Sequence, residues 1–162
     1  MKVIDNFLPS YYFKQLYSSL ESGVFPWYYN PGVTQEYEKD HYQFTHVFFD
    51  TIAPWNGISS EYYDIWGYCL QKLGVKKLRR LKANLRPKTF FHRKTEYHID
   101  YPDMTTAILY MNTCNGWTRF KKGGRVKSVA NRIVIFDSNL LHSGVSCTNE
   151  QIRMVVNFNY DI

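Results

Sequence analysis

His98 and Asp100, in the stretch EYHIDYP (96–102), are two polar side chains that could do chemistry together. On a strand, residues i and i+2 point to the same face, so an imidazole and a carboxylate would lean into one space. His142 closes the stretch IVIFDSNLLH, where a strongly apolar strand would meet its rim. Two imidazoles and one carboxylate can hold one face of an octahedral Fe(II) and leave the other positions open for oxygen chemistry. The competing reading is a half-exposed His and Asp with an unrelated histidine further on. A bare His-x-Asp triplet is weak evidence, so the distal half must decide.

Arg153 adds weight. In IRMVVNFNY, period-two alternation puts Ile152, Met154, Val156, Phe158 and Tyr160 on one face and Arg153, Val155, Asn157 and Asn159 on the other. An arginine and two amides enclosed in a barrel imply a polar ligand, because an unpaired buried charge is costly. A carboxylate matches the guanidinium fork. Tyr110, in AILYMN, shares a face with Ile108 and Asn112. Its hydroxyl either donates to the same carboxylate or belongs to an ordinary core tyrosine.

The elements that must position these groups fall into two halves. Residues 3–8 read as a short strand. Pro9 and Ser10 open a helix with apolar positions Phe13, Leu16, Tyr17 and Leu20, and Gly23 can stop it. Residues 25–58 are aromatic and irregular, apart from strand-like YQFTHVFFD (42–50). Ser59 and Ser60 can cap a second helix with the stripe Tyr62, Ile65, Trp66, Cys69, Leu70 and Leu73, closed by Gly74. Both helices should lie outside a sheet. From Leu81 the period is two, with further strands at 105–112, 126–129, 132–136 and 152–160. The expected fold is mainly β with flanking helices: a barrel or two-sheet jelly roll in one domain, 1–162. Helical support covers 1–75, and the β core covers about 78–162. KKGG (121–124) lacks phosphate-loop spacing and reads as a hairpin turn.

Lys and Arg total 20 against 14 Asp and Glu, a net charge of +6. The cations cluster in 76–94, beside Phe90 and Phe91. Such a stretch either binds nucleic acid, with phosphates on the cations and bases on the rings, or is a solvated surface. His41 and His46 lie in the irregular region and His92 in the basic one. The three cysteines are widely spaced with no CxxC, which excludes a disulfide framework or thiolate zinc site and fits a reducing compartment. No signal-peptide core and no 18-residue apolar run occur, so a cytoplasmic protein with no membrane span is expected.

The set HID (98–100), AILYMN (107–112), FDSNLLHSG (136–144) and RMVVNFNY (153–160) resembles the 2-oxoglutarate- and Fe(II)-dependent oxygenases, in their prolyl 4-hydroxylase-like branch. Short members of this kind occur in phage and marine microbial genomes, which would place this one in a host cytoplasm. The resemblance covers about residues 78–162. It implies a double-stranded β-helix of cupin-like type, iron on His98, Asp100 and His142, and Arg153 on the C5 carboxylate of 2-oxoglutarate with Tyr110 assisting. It further implies O2 as oxidant, ascorbate as a reductant, succinate and carbon dioxide as products, and hydroxylation of a C–H bond of a peptidyl, prolyl-type substrate. Two departures stand out. Val155 replaces the Ser or Thr common two residues after the arginine. The strand before the triplet offers Asn84 or Arg86 where a tyrosine is usual. Two alternatives remain: the same chemistry on a nucleic acid or nucleotide, and a non-catalytic cupin-like binding domain.

Overall fold

The computed structural model of the chain describes residues 1–32, 42–52 and 54–162. In chain order the elements are β1 (Lys2–Ile4), α1 (Ser10–Glu21), β2 (Tyr28–Asn30), β3 (Gln43–Asp50), β4 (Gly57–Ile58), a 3-10 turn (Asp64–Trp66) and α2 (Gly67–Leu73). There follow β5 (Lys77–Pro87), β6 (Thr105–Tyr110), β7 (Trp117–Phe120), β8 (Arg125–Lys127), β9 (Arg132–Asp137), β10 (His142–Val145) and β11 (Ile152–Asp161). Among the described residues no helix is long and apolar enough to cross a membrane.

The strands form two antiparallel sheets. The main sheet runs β1-β9-β6-β11-β5-β3-β2, with β4 paired to β3, and the small sheet runs β10-β7-β8. This is the expected jelly roll, with helices outside it. The first 75 residues supply both helices and also β1 to β4, so the N-terminal part extends the main sheet as well as buttressing it.

Two apolar layers follow from strand alternation. On the outer face of the main sheet, Met154, Val156, Phe158 and Tyr160 of β11 and Leu81 and Ala83 of β5 pack with Leu16 and Leu20 of α1 and Trp66, Cys69 and Leu73 around α2. Every residue of the two helical stripes read from the sequence takes part in this layer. Between the sheets a smaller cluster joins Ile108, Tyr110, Phe120, Val126, Val134, Phe136 and Val155. It borders the polar cavity described below, whose wall includes its Ile108 and Val155.

The local signals mostly hold. Gly74 ends α2 in a left-handed conformation, φ 70°, open to glycine at no steric cost. KKGG is the turn joining β7 to β8: Gly123 and Gly124 have φ of 118° and 84°, and the Phe120 amide donates to the Gly124 carbonyl. Ser60 does not cap a helix. Its hydroxyl accepts from the Tyr62 amide and meets His46 Nε2, so it closes a local turn, and α2 begins only at Gly67. His142 begins a strand of its own rather than ending one.

Candidate metal centre

The stretch carrying His98 and Asp100 is not a regular strand. His98 touches β10 through an isolated bridge to His142, and a second bridge joins Lys94 to Val145. The chain bends at Asp100. The carboxylate reaches the two imidazoles because the main sheet draws it in: Arg80 Nη2 lies 2.9 Å from its Oδ1, and Asn159 Nδ2 donates to its Oδ2 at 3.2 Å. Arg80 Nε also donates to Asn159 Oδ1 at 3.1 Å, and Asn159 Nδ2 to Thr106 Oγ1 at 3.0 Å. Alternation on a strand thus predicted the right neighbours through a different geometry.

His98 Nε2 lies 3.8 Å from Asp100 Oδ1, and His142 Nε2 lies 3.9 Å from Asp100 Oδ2. The three donor atoms all fall within 4.8 Å of one another. Each imidazole is oriented from behind. His98 Nδ1 meets the Glu96 carbonyl at 3.2 Å and His142 Nδ1 meets the Leu140 carbonyl at 3.1 Å. A carbonyl only accepts, so both Nδ1 atoms carry the proton and both Nε2 lone pairs face the cluster. This backing of ligand histidines is what a metal site needs. Two neutral imidazoles and an anionic carboxylate, compactly set, fit a divalent first-row ion such as Fe(II).

The electrostatics agree. Burial acts to raise the Asp100 carboxyl, but the Arg80 charge, the two histidines and the Asn159 bond together hold it well below the usual carboxylate range. Burial pushes His142 below the ordinary imidazole value, against the pull of Asp100, which favours the neutral form a metal requires.

The cluster opens on a cavity of about 940 Å³. Its walls include Arg80, Lys82, Asn84 and Arg86 from β5, and Arg153, Val155 and Asn157 from β11. The basic run 76–94 is therefore not one outward stripe. Alternation turns Arg80, Lys82 and Arg86 inward and leaves Lys76, Lys77, Lys88, Arg93 and Lys94 exposed. That takes three cations from the surface on which the nucleic-acid reading relied.

Arg153 is 4% exposed. Its Nε donates to Ser128 Oγ at 2.8 Å and its Nη2 to Thr118 Oγ1 at 3.1 Å. Burial lowers its pKa, and no carboxylate among the described residues forms an ion pair with it. Tyr110 is fully buried and is not part of the cavity wall. Its hydroxyl donates to Thr118 Oγ1 at 2.9 Å, and Thr118 does line the cavity. Gly144 brings the ends together: a Cβ built there would lie 3.7 Å from Nη1 of both Arg153 and Arg86.

The other histidines stand apart. His46 is clamped between the Pro26 carbonyl and Ser60 Oγ among Phe25, Phe48 and Tyr62. His92 Nδ1 meets the Ser146 carbonyl, with its ring against Trp117. His41 lies outside the described residues. Thr118, Ser128, Lys82 and Arg80 were not singled out from the sequence as site residues. Only the β5 alternation could have flagged the last two.

No family model matches the sequence, and no curated protein does. Solved structures do match. A prolyl-4-hydroxylase from Pseudomonas putida aligns over 99% of this chain and 92% of its own, with TM-score 0.67 and 19% identity. A 2OG-Fe(II) oxygenase family oxidoreductase from Burkholderia pseudomallei covers 98% and 84%, with TM-score 0.69 and 9% identity. A Trichoplax adhaerens prolyl hydroxylase, solved with a hypoxia inducible factor peptide fragment, covers 99% and 83%, with TM-score 0.63 and 15% identity. Over nearly its whole length, the chain has the fold of prolyl hydroxylases and 2OG-Fe(II) oxygenases.

Proposed function

We propose that this protein is an Fe(II)- and 2-oxoglutarate-dependent dioxygenase that hydroxylates an unactivated C–H bond of a prolyl-type peptide substrate. The observation that carries the reading is one shared cavity. His98, Asp100 and His142 present three ligand atoms to it within 4.8 Å of one another, and the buried guanidinium of Arg153 faces the same space. His98, Asp100 and His142 would hold the iron. Arg153 and Thr118 would take the far carboxylate of the co-substrate, with Tyr110 orienting Thr118 from behind. When bound, iron and 2-oxoglutarate supply the oxidising power, with O2 consumed and succinate and carbon dioxide released. Ascorbate would serve as the outside reductant.

This chain's residues bind and orient these groups and keep water away. The cavity is near the top of the usual small-molecule range of about 300–1,000 Å³, which leaves room beyond a small diacid. Asn30, Gln43, Trp55, Tyr97 and Ile99 also line it, an apolar and amide set suited to a peptide side chain. The fold shared with a prolyl hydroxylase solved with a peptide supports the same substrate class.

The test is anaerobic titration of the metal-free protein with Fe(II) and then 2-oxoglutarate. A weak visible charge-transfer band is expected, and with air and a prolyl peptide panel, succinate. Absence of both the band and any succinate, even uncoupled from peptide, would overturn the assignment.

A further inference from the structure

One part of the cavity wall has no task in this scheme. The inward residues of β5 and β11 face each other in four rungs: Arg86 with Arg153, Asn84 with Val155, Lys82 with Asn157, and Arg80 with Asn159. Successive rungs are two residues apart, about 6.8 Å along an antiparallel strand. The Arg80–Asn159 rung grips the metal ligand Asp100. The Arg86–Arg153 rung carries the guanidinium that meets Thr118. Lys82 and Asn157 stand beside the metal rung, on its cavity side.

Both are unsatisfied. Lys82 makes no hydrogen bond or ion pair with any described residue, and its charge feels Arg80, Asp100 and Asp50 at a distance. Asn157 Oδ1 is buried without a partner. A cation and an amide side by side on one cavity wall, neither paired among the described residues, point to a ligand. Arg80 is already committed to Asp100, which leaves Lys82 as the cation at this end with no partner of its own. Asn157 buries its Oδ1, which leaves the NH2 group as the end of this amide that can donate to an acceptor in the cavity.

The dimensions select the ligand's end. Arg153 reaches Gly144, which is two residues from the ligand His142 on the same face of β10. That step of about 6.8 Å is close to the length of a five-carbon diacid. Along β11 the Lys82–Asn157 rung is two rungs from Arg153, about 13.6 Å at the backbone. It is the length of the arginine and lysine side chains lining the cavity that lets a diacid anchored at Arg153 bring its other end to Lys82 and Asn157.

We propose that Lys82 and Asn157 bind the 2-oxo-acid end of the co-substrate, its C1 carboxylate, opposite the end held by Arg153. The inference rests on the co-substrate reading above and adds two positioning residues to it.

The test is anaerobic calorimetry on the full chain loaded with Mn(II), which reads binding without turnover. The ligands are 2-oxoglutarate, 2-oxopentanoate (a methyl replaces the far carboxylate) and 4-oxopentanoate (a methyl replaces the C1 carboxylate). Lys82→Met should weaken 2-oxoglutarate and 2-oxopentanoate by about tenfold or more, as loss of a charged hydrogen bond does, and spare 4-oxopentanoate. Arg153→Met should show the mirror pattern and spare 2-oxopentanoate. Asn157→Ala should repeat the Lys82 pattern more weakly, and Lys82→Arg should restore binding. The inference is overturned if Lys82→Met and Asn157→Ala weaken all three ligands alike or none of them. If the wild-type protein binds 2-oxoglutarate and only these variants behave otherwise, the proposed function stands and this inference alone falls. If the wild-type protein binds none of the three, the co-substrate reading falls and takes this inference with it.

Discussion

His98 and His142 exchange both backbone hydrogen bonds, each amide donating to the other's carbonyl at 3.0 Å. Two residues 44 positions apart in the chain are thereby locked face to face by main-chain atoms, with ring centroids 4.7 Å apart. The histidine pair does not depend on its own side chains for placement. The third candidate ligand does. Asp100 lies past the bridge and is held by Arg80 and Asn159 of the main sheet, so the three donor atoms converge only when the two sheets close on each other.

Asp100→Ala should therefore do two things. It should abolish stable binding of Fe(II) or Mn(II), read by equilibrium dialysis. It should also lower the stability of the metal-free protein by about 1–3 kcal/mol, because Arg80 loses the partner that satisfies it in a mostly buried site. Asp100→Asn keeps an oxygen for Arg80 and should lose metal with a smaller change in melting temperature. Equal melting temperatures for wild type and Asp100→Ala, both metal-free, would contradict this account of Arg80.

Lys82 gives a pH-dependent prediction. Burial first, and then the Arg80 charge, bring its ammonium down to about 8 from the ordinary lysine value. Between that value and the unfolded value near 10.5, the unfolded chain binds more protons than the folded one. Stability contributed at this position therefore rises with pH across that window, and below it the buried charge is a standing cost. Lys82→Met should stabilise the metal-free protein at pH 7 by about 1–3 kcal/mol. The gain should shrink as pH climbs from 8 toward 10.5. Thermal melts of both proteins across pH 7–10 check the sign. A gain that does not change with pH would assign it to packing rather than charge.

The chemistry-bearing faces were legible where a strand carried them. On β11 the alternation of Arg153, Val155, Asn157 and Asn159 against an apolar opposite face matches the structure residue by residue. On β5 the same alternation was visible, yet the run of cations around it suggested a surface. Net charge along a segment does not tell which rungs face a cavity. His98 and Asp100 do converge, although through a bend and two partners from distant strands rather than along a regular strand. Thr118 and Ser128 could not be read at all. β7 and β8 are short, and what sets these hydroxyls apart is a non-local register that brings them to Arg153. Short strands such as β7 and β10 leave too few residues for a period to emerge.

Gly116 is tied to Arg153 by lack of space. A Cβ there would fall 2.7 Å from Arg153 Cδ and 2.9 Å from the Val145 carbonyl oxygen. The carbonyl belongs to β10 and cannot easily retreat, so the arginine must move and the backbone at 116 must shift with it. Gly116→Ala should weaken 2-oxoglutarate binding by about tenfold or more while metal affinity in the absence of co-substrate stays within about twofold. Calorimetry with and without the diacid separates the two. Loss of metal affinity as well would mean that the change spreads along β10 to His142.

Thr118 and Tyr110 provide the last test, because their hydrogen bonds set a direction. The Thr118 oxygen accepts from Tyr110 at 2.9 Å and from Arg153 at 3.1 Å. A hydroxyl has two lone pairs and one proton, so with both pairs occupied its proton is left to donate into the cavity. Tyr110 then acts on the ligand only through Thr118. Thr118→Val removes the donor and leaves Tyr110 and one N–H of Arg153 without an acceptor in a buried site. Its cost in 2-oxoglutarate affinity should be about tenfold or more. Tyr110→Phe removes a support and leaves the donor in place, so its cost should be about two- to fivefold. Combining the two should cost no more than Thr118→Val alone, since the tyrosine has nothing left to orient. Additive losses in the double variant would instead give Tyr110 a direct contact with the carboxylate.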